Sequence, residues 1–236
     1  REKMSEPAHW IYNLSLSGHN LTFNLDTIFT MWFAMAVVII FAILATRKLS
    51  LVPGKLQAVS ESILKFFWGT LDTMIPNKNR QHVPLVASLF LFILIANLMG
   101  QLPLRIIHLK SGGELASPTN DINVTAALAI IVLIYYVGTG IKAKGPKYFL
   151  HEFSFTGIVM ALVELLEMVT RPLSLAIRLF ANVFAGEILV SIALGLYAYF
   201  LPLPIMLFEL LVAFIQATVF MMLTIAYISS ASGEEH

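Results

Sequence analysis

The segment RPLSLAIRLFANVFAGE, Arg171 to Glu187, places two arginines, an asparagine and a carboxylate inside one of the most apolar stretches of the chain. An arginine stays protonated in any protein environment, so it cannot ease its burial by releasing a proton as Asp, Glu, His or Lys can. At about 100° per residue, Glu164, Glu167, Arg171, Ser174, Arg178 and Asn182 fall within an arc of about 80° on an ideal helix. A kink at Pro172 would disturb that register. Glu187, nine positions after Arg178, falls on nearly the opposite face and about 13 Å further along the axis, so two separate tasks are expected.

Glu167 and Arg171 form an i to i+4 pair that can neutralise itself, and a structural role is the plain reading of both. Arg178 differs. Its i−4 and i+4 neighbours, Ser174 and Asn182, can hydrogen-bond to it but cannot neutralise it. A charge at the bilayer centre costs from about 3 to more than 10 kcal/mol, so an arginine kept there is read as functional. The last apolar segment carries Glu209 and Gln216 on one helical face. With a break centred near residue 197, antiparallel pairing puts Arg178 opposite Gln216, and Glu187 within one turn of Glu209. Gln216 reads equally as a relay group or as helix-to-helix glue. Glu187 and Glu209 together suit a proton relay, because mutual repulsion and desolvation both penalise the doubly ionised pair.

The elements that must hold these groups are membrane helices. Of 236 residues, 58% are hydrophobic and 12% charged, about half the charge of a soluble domain, and mean hydropathy is +0.82. A single polytopic domain is expected over 1–236: an external N-terminus over 1–27, a span over 28–46, an amphipathic surface helix over 53–76, and spans over 82–107 and 121–141. A long hairpin over 156–229 follows, and a helix through most of its first arm would be about twice the hydrocarbon thickness, hence tilted, kinked or folded back. Arg47, Lys48 and Lys55 after the first span, and Lys142, Lys144 and Lys147 after the span over 121–141, place those ends and the C-terminus in the cytoplasm. The N-terminal stretch begins at Arg1 and lacks the apolar core of a cleavable signal peptide.

Other functions find little footing. There is no cysteine, which removes disulfides, thiolate metal sites and a cysteine nucleophile. Six dispersed histidines and no HExxH leave no metal site for a membrane-embedded hydrolase, and scattered basic residues give no footprint for nucleic acid. No cofactor is expected. A stand-alone secondary ion transporter or antiporter would use the same buried Arg and Glu groups, but no internal repeat is visible.

The run RPLSLAIRLFANVFAGE closely resembles the SLxxRLFxNxxAGE signature of subunit a of the rotary F-type ATP synthase membrane sector. PGKLQAVSESI, LFLFILIANLMGQLP, SPTNDINVTAALA and QATVFMMLTIAYI extend the resemblance in order over most of the chain, least in the first 25 or so residues. The resemblance implies an all-α integral membrane fold of about five membrane helices and one surface helix, ending in a tilted hairpin. It implies no catalysis by this chain itself and a location in a bacterial-type inner (plasma) membrane. Arg178 then matches the arginine that faces the carboxylates of a rotating c-ring. Asn182, Glu187, Glu209 and Gln216 match polar groups of two aqueous half-channels that carry H+ or Na+, although some bacterial members have His at the place of Glu209. The implied partners are the c-ring oligomer, the peripheral stalk b subunits, the remainder of the ATP synthase complex and the lipid bilayer.

Overall fold

The computed structural model describes residues 11–16, 19–47, 50, 53–75, 79–101, 117–144, 155–196 and 200–232. Within them the membrane part is entirely helical, as continuous apolar runs in lipid require, since each backbone group must be satisfied inside its own segment. Six long helices occur: α1 (Leu25–Thr46), α2 (Lys55–Met74), α3 (Val83–Gln101), α4 (Ile122–Lys144), α5 (Phe155–Leu196) and α6 (Pro202–Ser232). All but α2 are long and apolar enough to cross a membrane. Helix α2 sets Leu56, Val59 and Phe66 against Glu61, Lys65 and Asp72, the two-faced pattern of a helix lying on a surface.

The polar N-terminal part adds an element that the apolar pattern does not announce. Strands β1 (Ile11–Leu16) and β2 (His19–Asn24) pair antiparallel, with Leu16 opposite His19 and Ile11 opposite Asn24. Asn24 leads directly into α1, and its amide donates to Asp121 Oδ2 at 3.3 Å, tying this end of α1 to the start of α4. Asp121 itself caps α4, accepting the backbone N–H of Asn123 at 2.9 Å.

The core joins α2, α3, α4, α5 and α6 through Phe67, Phe90, Ile93, Val132, Tyr136, Leu175, Leu179, Phe220 and Ile225. Phe90 is its hinge, meeting Phe67 edge-on at 5.3 Å and Phe214 at 6.1 Å, contacts worth about 0.5–1.5 kcal/mol each beyond the area they bury. Helix α6 packs mainly on α3 and α4, and α5 mainly on α4. Near the C-terminal ends of α2 and α6, Ser229 donates to the Met74 carbonyl at 2.9 Å. Of the expected segments, residues 102–107, Lys48, Lys147, most of the loop before α4 and the GEEH tail lie outside the described residues.

The 42 residues of α5 and 31 of α6 measure about 63 Å and 46 Å at about 1.5 Å per residue, against a hydrocarbon core of about 30 Å. Two such helices joined by a short connection cannot both stand upright in a bilayer. They must lean or run out of it.

Candidate functional site

The connection between α5 and α6 centres near residue 199 rather than 197, because α5 runs to Leu196 and α6 begins at Pro202. Two residues at the bend shift the antiparallel partner by four, one helical turn. It is therefore Asn182, not Arg178, whose amide donates to Gln216 Oε1, at 2.6 Å. Gln216 is 4% exposed and held in place; Asn182 lies on the open side of the hairpin.

One turn and a half further along, Glu187 and Glu209 are buried at 9% and 7% exposure. Glu209 rests against the backbone of α5 at Gly186, where a Cβ would stand 2.6 Å from its Oε1. Only glycine permits that approach, and it brings Glu209 beside the residue that precedes Glu187. The two expected relay glutamates lie on neighbouring helices near the same stretch of the hairpin, and Glu187 itself accepts a hydrogen bond from Asn120.

Glu187 is held from outside the hairpin. Asn120, in the 3-10 turn Pro118–Asn120, donates its amide to Glu187 Oε2 at 2.7 Å. The same turn is fastened to α3: Ser117 donates to the Ala96 carbonyl at 2.8 Å and Thr119 donates to Asn97 Oδ1 at 2.8 Å, the two hydroxyls lying 2.7 Å apart. Gly100 allows this docking, since a Cβ there would meet the Ser117 side chain at 2.8 Å. Asn97, Ser117, Thr119 and Asn120 are not among the site residues that the sequence singles out. The signal that could have found the last three is the clustering of three hydrogen-bonding side chains in SPTN next to a span.

A cavity of about 20 Å³, open to the centre of a water-sized sphere, lies between Asn97, Asn182, Glu209 and Gln216. That is room for one water molecule. The amide nitrogen of Asn97 is buried with no hydrogen-bond partner among the described residues, the kind of group a water completes. The cavity joins the level of the glutamates to the level of Asn182 and Gln216.

The other charges of α5 separate into two kinds. Glu167 and Arg171 pair with each other, and the Arg171 guanidinium lies 5.1 Å above the Tyr227 ring of α6, so this cation has both an anion and a π-face within its own chain. Ser174 is exposed, and the side chain of Glu164 lies outside the described residues. Arg178 is exposed on the outer side of α5, one turn from Asn182, with no ion pair or hydrogen bond among the described residues. Around it the helix shows Ser174, Ala181 and Ala185, all exposed, then Leu189 at 47% and Ile192 at 56% exposure. Small residues around a cation leave space for another helix to come close.

No group of three or more His, Cys, Asp or Glu able to hold a metal ion occurs among the described residues. Carboxylates, paired amides and a water-sized cavity are features through which a proton can pass by hydrogen-bonded steps.

Comparison with known proteins agrees over nearly the whole length. The family described as ATP synthase A chain matches residues 28–229. ATP synthase subunit a of Gloeobacter violaceus is 42% identical over 227 residues, covering 93% of this chain and 91% of its own. The chain belongs to the ATP synthase A chain family.

Proposed function

We propose that this chain is the stator through which H+ or Na+ reaches and leaves the carboxylates of a rotating c-ring, by two half-channels offset across the membrane. Membership of the family makes it a non-catalytic, integral membrane-sector subunit engaged in ion translocation and associated with the rest of the ATP synthase complex. The finer reading rests on one observation: Arg178 is exposed on an apolar helix face with no anion paired to it among the described residues.

In lipid alone that charge would cost about 3 kcal/mol or more. A carboxylate supplied by a neighbouring ring relieves the cost, and the permanent cation in turn favours the ionised form of each carboxylate that passes. The same cation repels an ion trying to slip directly between the half-channels. Ions then have to travel on the ring. Each elementary charge moved across 100 mV supplies about 2.3 kcal/mol, and the offset of the half-channels turns it into rotation. Lysine would serve poorly, because burial can strip its proton.

The Asn120 turn, Glu187, Glu209, the water-sized cavity and the Asn182–Gln216 pair make the first half-channel, leading to Arg178 from the end where Asn24 meets Asp121. Glu164, Glu167, Arg171 and Ser174 flank the second, toward the opposite end of α5. By the distribution of basic residues the first opens outside and the second to the cytoplasm, with the N-terminus outside and the whole chain one polytopic domain. The ring faces Arg178, and the peripheral stalk b subunits hold the chain against the torque.

The test is ATP-driven ion pumping in vesicles carrying the whole complex, with Arg178→Ala and Arg178→Lys, alongside passive leak through the membrane sector. Loss of pumping in both with assembly intact is expected, with added leak in the alanine variant. Normal pumping in either would remove Arg178 from the coupling role.

A further inference from the structure

At the end of α4 remote from the buried glutamates, a pocket of about 440 Å³, open to water-sized spheres, lies between Gln81, His82, Ile134, Tyr135, Gly138 and Lys142. The ion path leaves it unused. Its floor is fixed by the protein itself. The Gln81 amide donates to His82 Nε2 at 3.1 Å, which leaves the imidazole proton on Nδ1 to donate to the Tyr135 oxygen at 3.0 Å. His82 is 2% exposed, and its ring meets Tyr135 edge-on at 5.8 Å. This triangle joins the residue before α3 to α4 and holds the pocket open without a ligand.

The lining is amphiphilic along one helix. Lys142 stands at the polar end of the Ile122–Ala143 span, exposed, with no acidic partner among the described residues. Ile134 lies two turns deeper on the same side, 67% exposed, and continues into Ile130 and Ile131 on the lipid-facing surface of α4. Gly138 lies midway, and a Cβ there would meet nothing within 4 Å. The missing side chain is what makes the groove continuous from cation to apolar wall, a distance of about 12 Å along the helix. A soluble anion would leave the apolar half empty, and an uncharged lipid would leave Lys142 unanswered.

We propose that this pocket binds the phosphate headgroup of an anionic phospholipid, the phosphate at Lys142 and an acyl chain along Gly138 and Ile134. Basic pockets beside membrane helices at the bilayer interface recognise such headgroups. The inference does not depend on the ion path, so either can fail alone.

The test uses the whole complex in bilayer discs containing photoreactive phosphatidylglycerol or, in a parallel set, photoreactive phosphatidylcholine, with adducts mapped by peptide mass. The glycerol lipid is expected to label residues 134–143 about fivefold more than the choline lipid, and Lys142→Gln to remove about that preference, while Lys142→Arg keeps it. Gly138→Leu fills open space and is expected to abolish labelling by both probes while the complex still assembles. Excess inorganic phosphate should not compete. Equal labelling by the two lipids, labelling unchanged in Lys142→Gln and Gly138→Leu, displacement by inorganic phosphate, or no labelling because another subunit covers the pocket would each overturn the proposal.

Discussion

Arg171 and Arg178 sit two turns apart on one face of one helix, and the protein treats them differently. Arg171 has Glu167 beside it and the Tyr227 ring beneath it, so its charge is answered inside the chain. Arg178 has Ser174 and Asn182 as its nearest turns, and Asn182 spends its amide on Gln216. The first arginine is answered when this chain folds, whereas the second has no anion among the described residues and, in the proposed reading, is answered by a ring carboxylate. Under the proposed reading burial is the wrong guide to function: the half-buried cation is structural, and the exposed one is the working group.

The comparison breaks most easily at Arg178 itself. Arg178→Ala is expected to reduce ATP-driven pumping more than about 100-fold, the factor that about 3 kcal/mol of lost charge interaction implies. Pumping in vesicles measures it, with the amount of assembled complex as the control. Gly186→Ala comes next. Its Cβ would sit 2.6 Å from Glu209 Oε1, and since the carboxylate ends a flexible side chain it moves rather than breaking the fold. A displacement of that size is expected to lower pumping roughly 10- to 100-fold with normal assembly.

Asn120→Leu removes the donor to Glu187. A hydrogen bond to a charged group is worth about 1.5–3 kcal/mol, and a loss of about tenfold in pumping is expected, with Asn120→Gln recovering part of it. Arg171→Gln should do least. An accessible ion pair contributes about 0.2–1 kcal/mol and a cation over an aromatic ring about 0.5–1 kcal/mol, so pumping should stay within about fivefold of normal. Any loss should track reduced assembly. If Arg171→Gln matched Arg178→Ala at full assembly, the distinction between the two arginines would fall.

The helices were legible because lipid leaves the chain one solution: apolar runs of about 20 residues must be helical. The faces of α5 and α6 were legible for the same reason, since 3.6-residue periodicity sorts polar from apolar positions. What the sequence did not carry was the bend. GLYAYFLPLP contains no single breaker that fixes its centre, and two residues of error there moved the partner of Gln216 from Arg178 to Asn182. The β1–β2 hairpin was also passed over, although Leu14 and Leu16 alternate with polar residues and Ser17-Gly18 separates the strands, a short-turn signal. The contribution of Asn120 could not be read at all, because its contact with Glu187 spans 67 residues and no local pattern encodes it. The carboxylates and the arginine were singled out by type and spacing; the groups that contact the carboxylates, Asn120 and Gly186, came only with the fold.

The most direct test of an Arg178 face completed by the ring is a proximity cross-link, which the absence of native cysteine makes clean. Ala181→Cys, exposed three residues after Arg178, would be paired in the whole complex with a cysteine beside the ring carboxylate. Ile134→Cys, 67% exposed on α4, serves as the control facing lipid. Oxidation is expected to link Ala181→Cys, and not Ile134→Cys, to ring subunits, and to stop ATP-driven pumping until the disulfide is reduced. If Ala181→Cys forms no link and takes up a lipid-soluble thiol reagent as freely as Ile134→Cys does, then the face around Arg178 meets lipid and the ring is elsewhere.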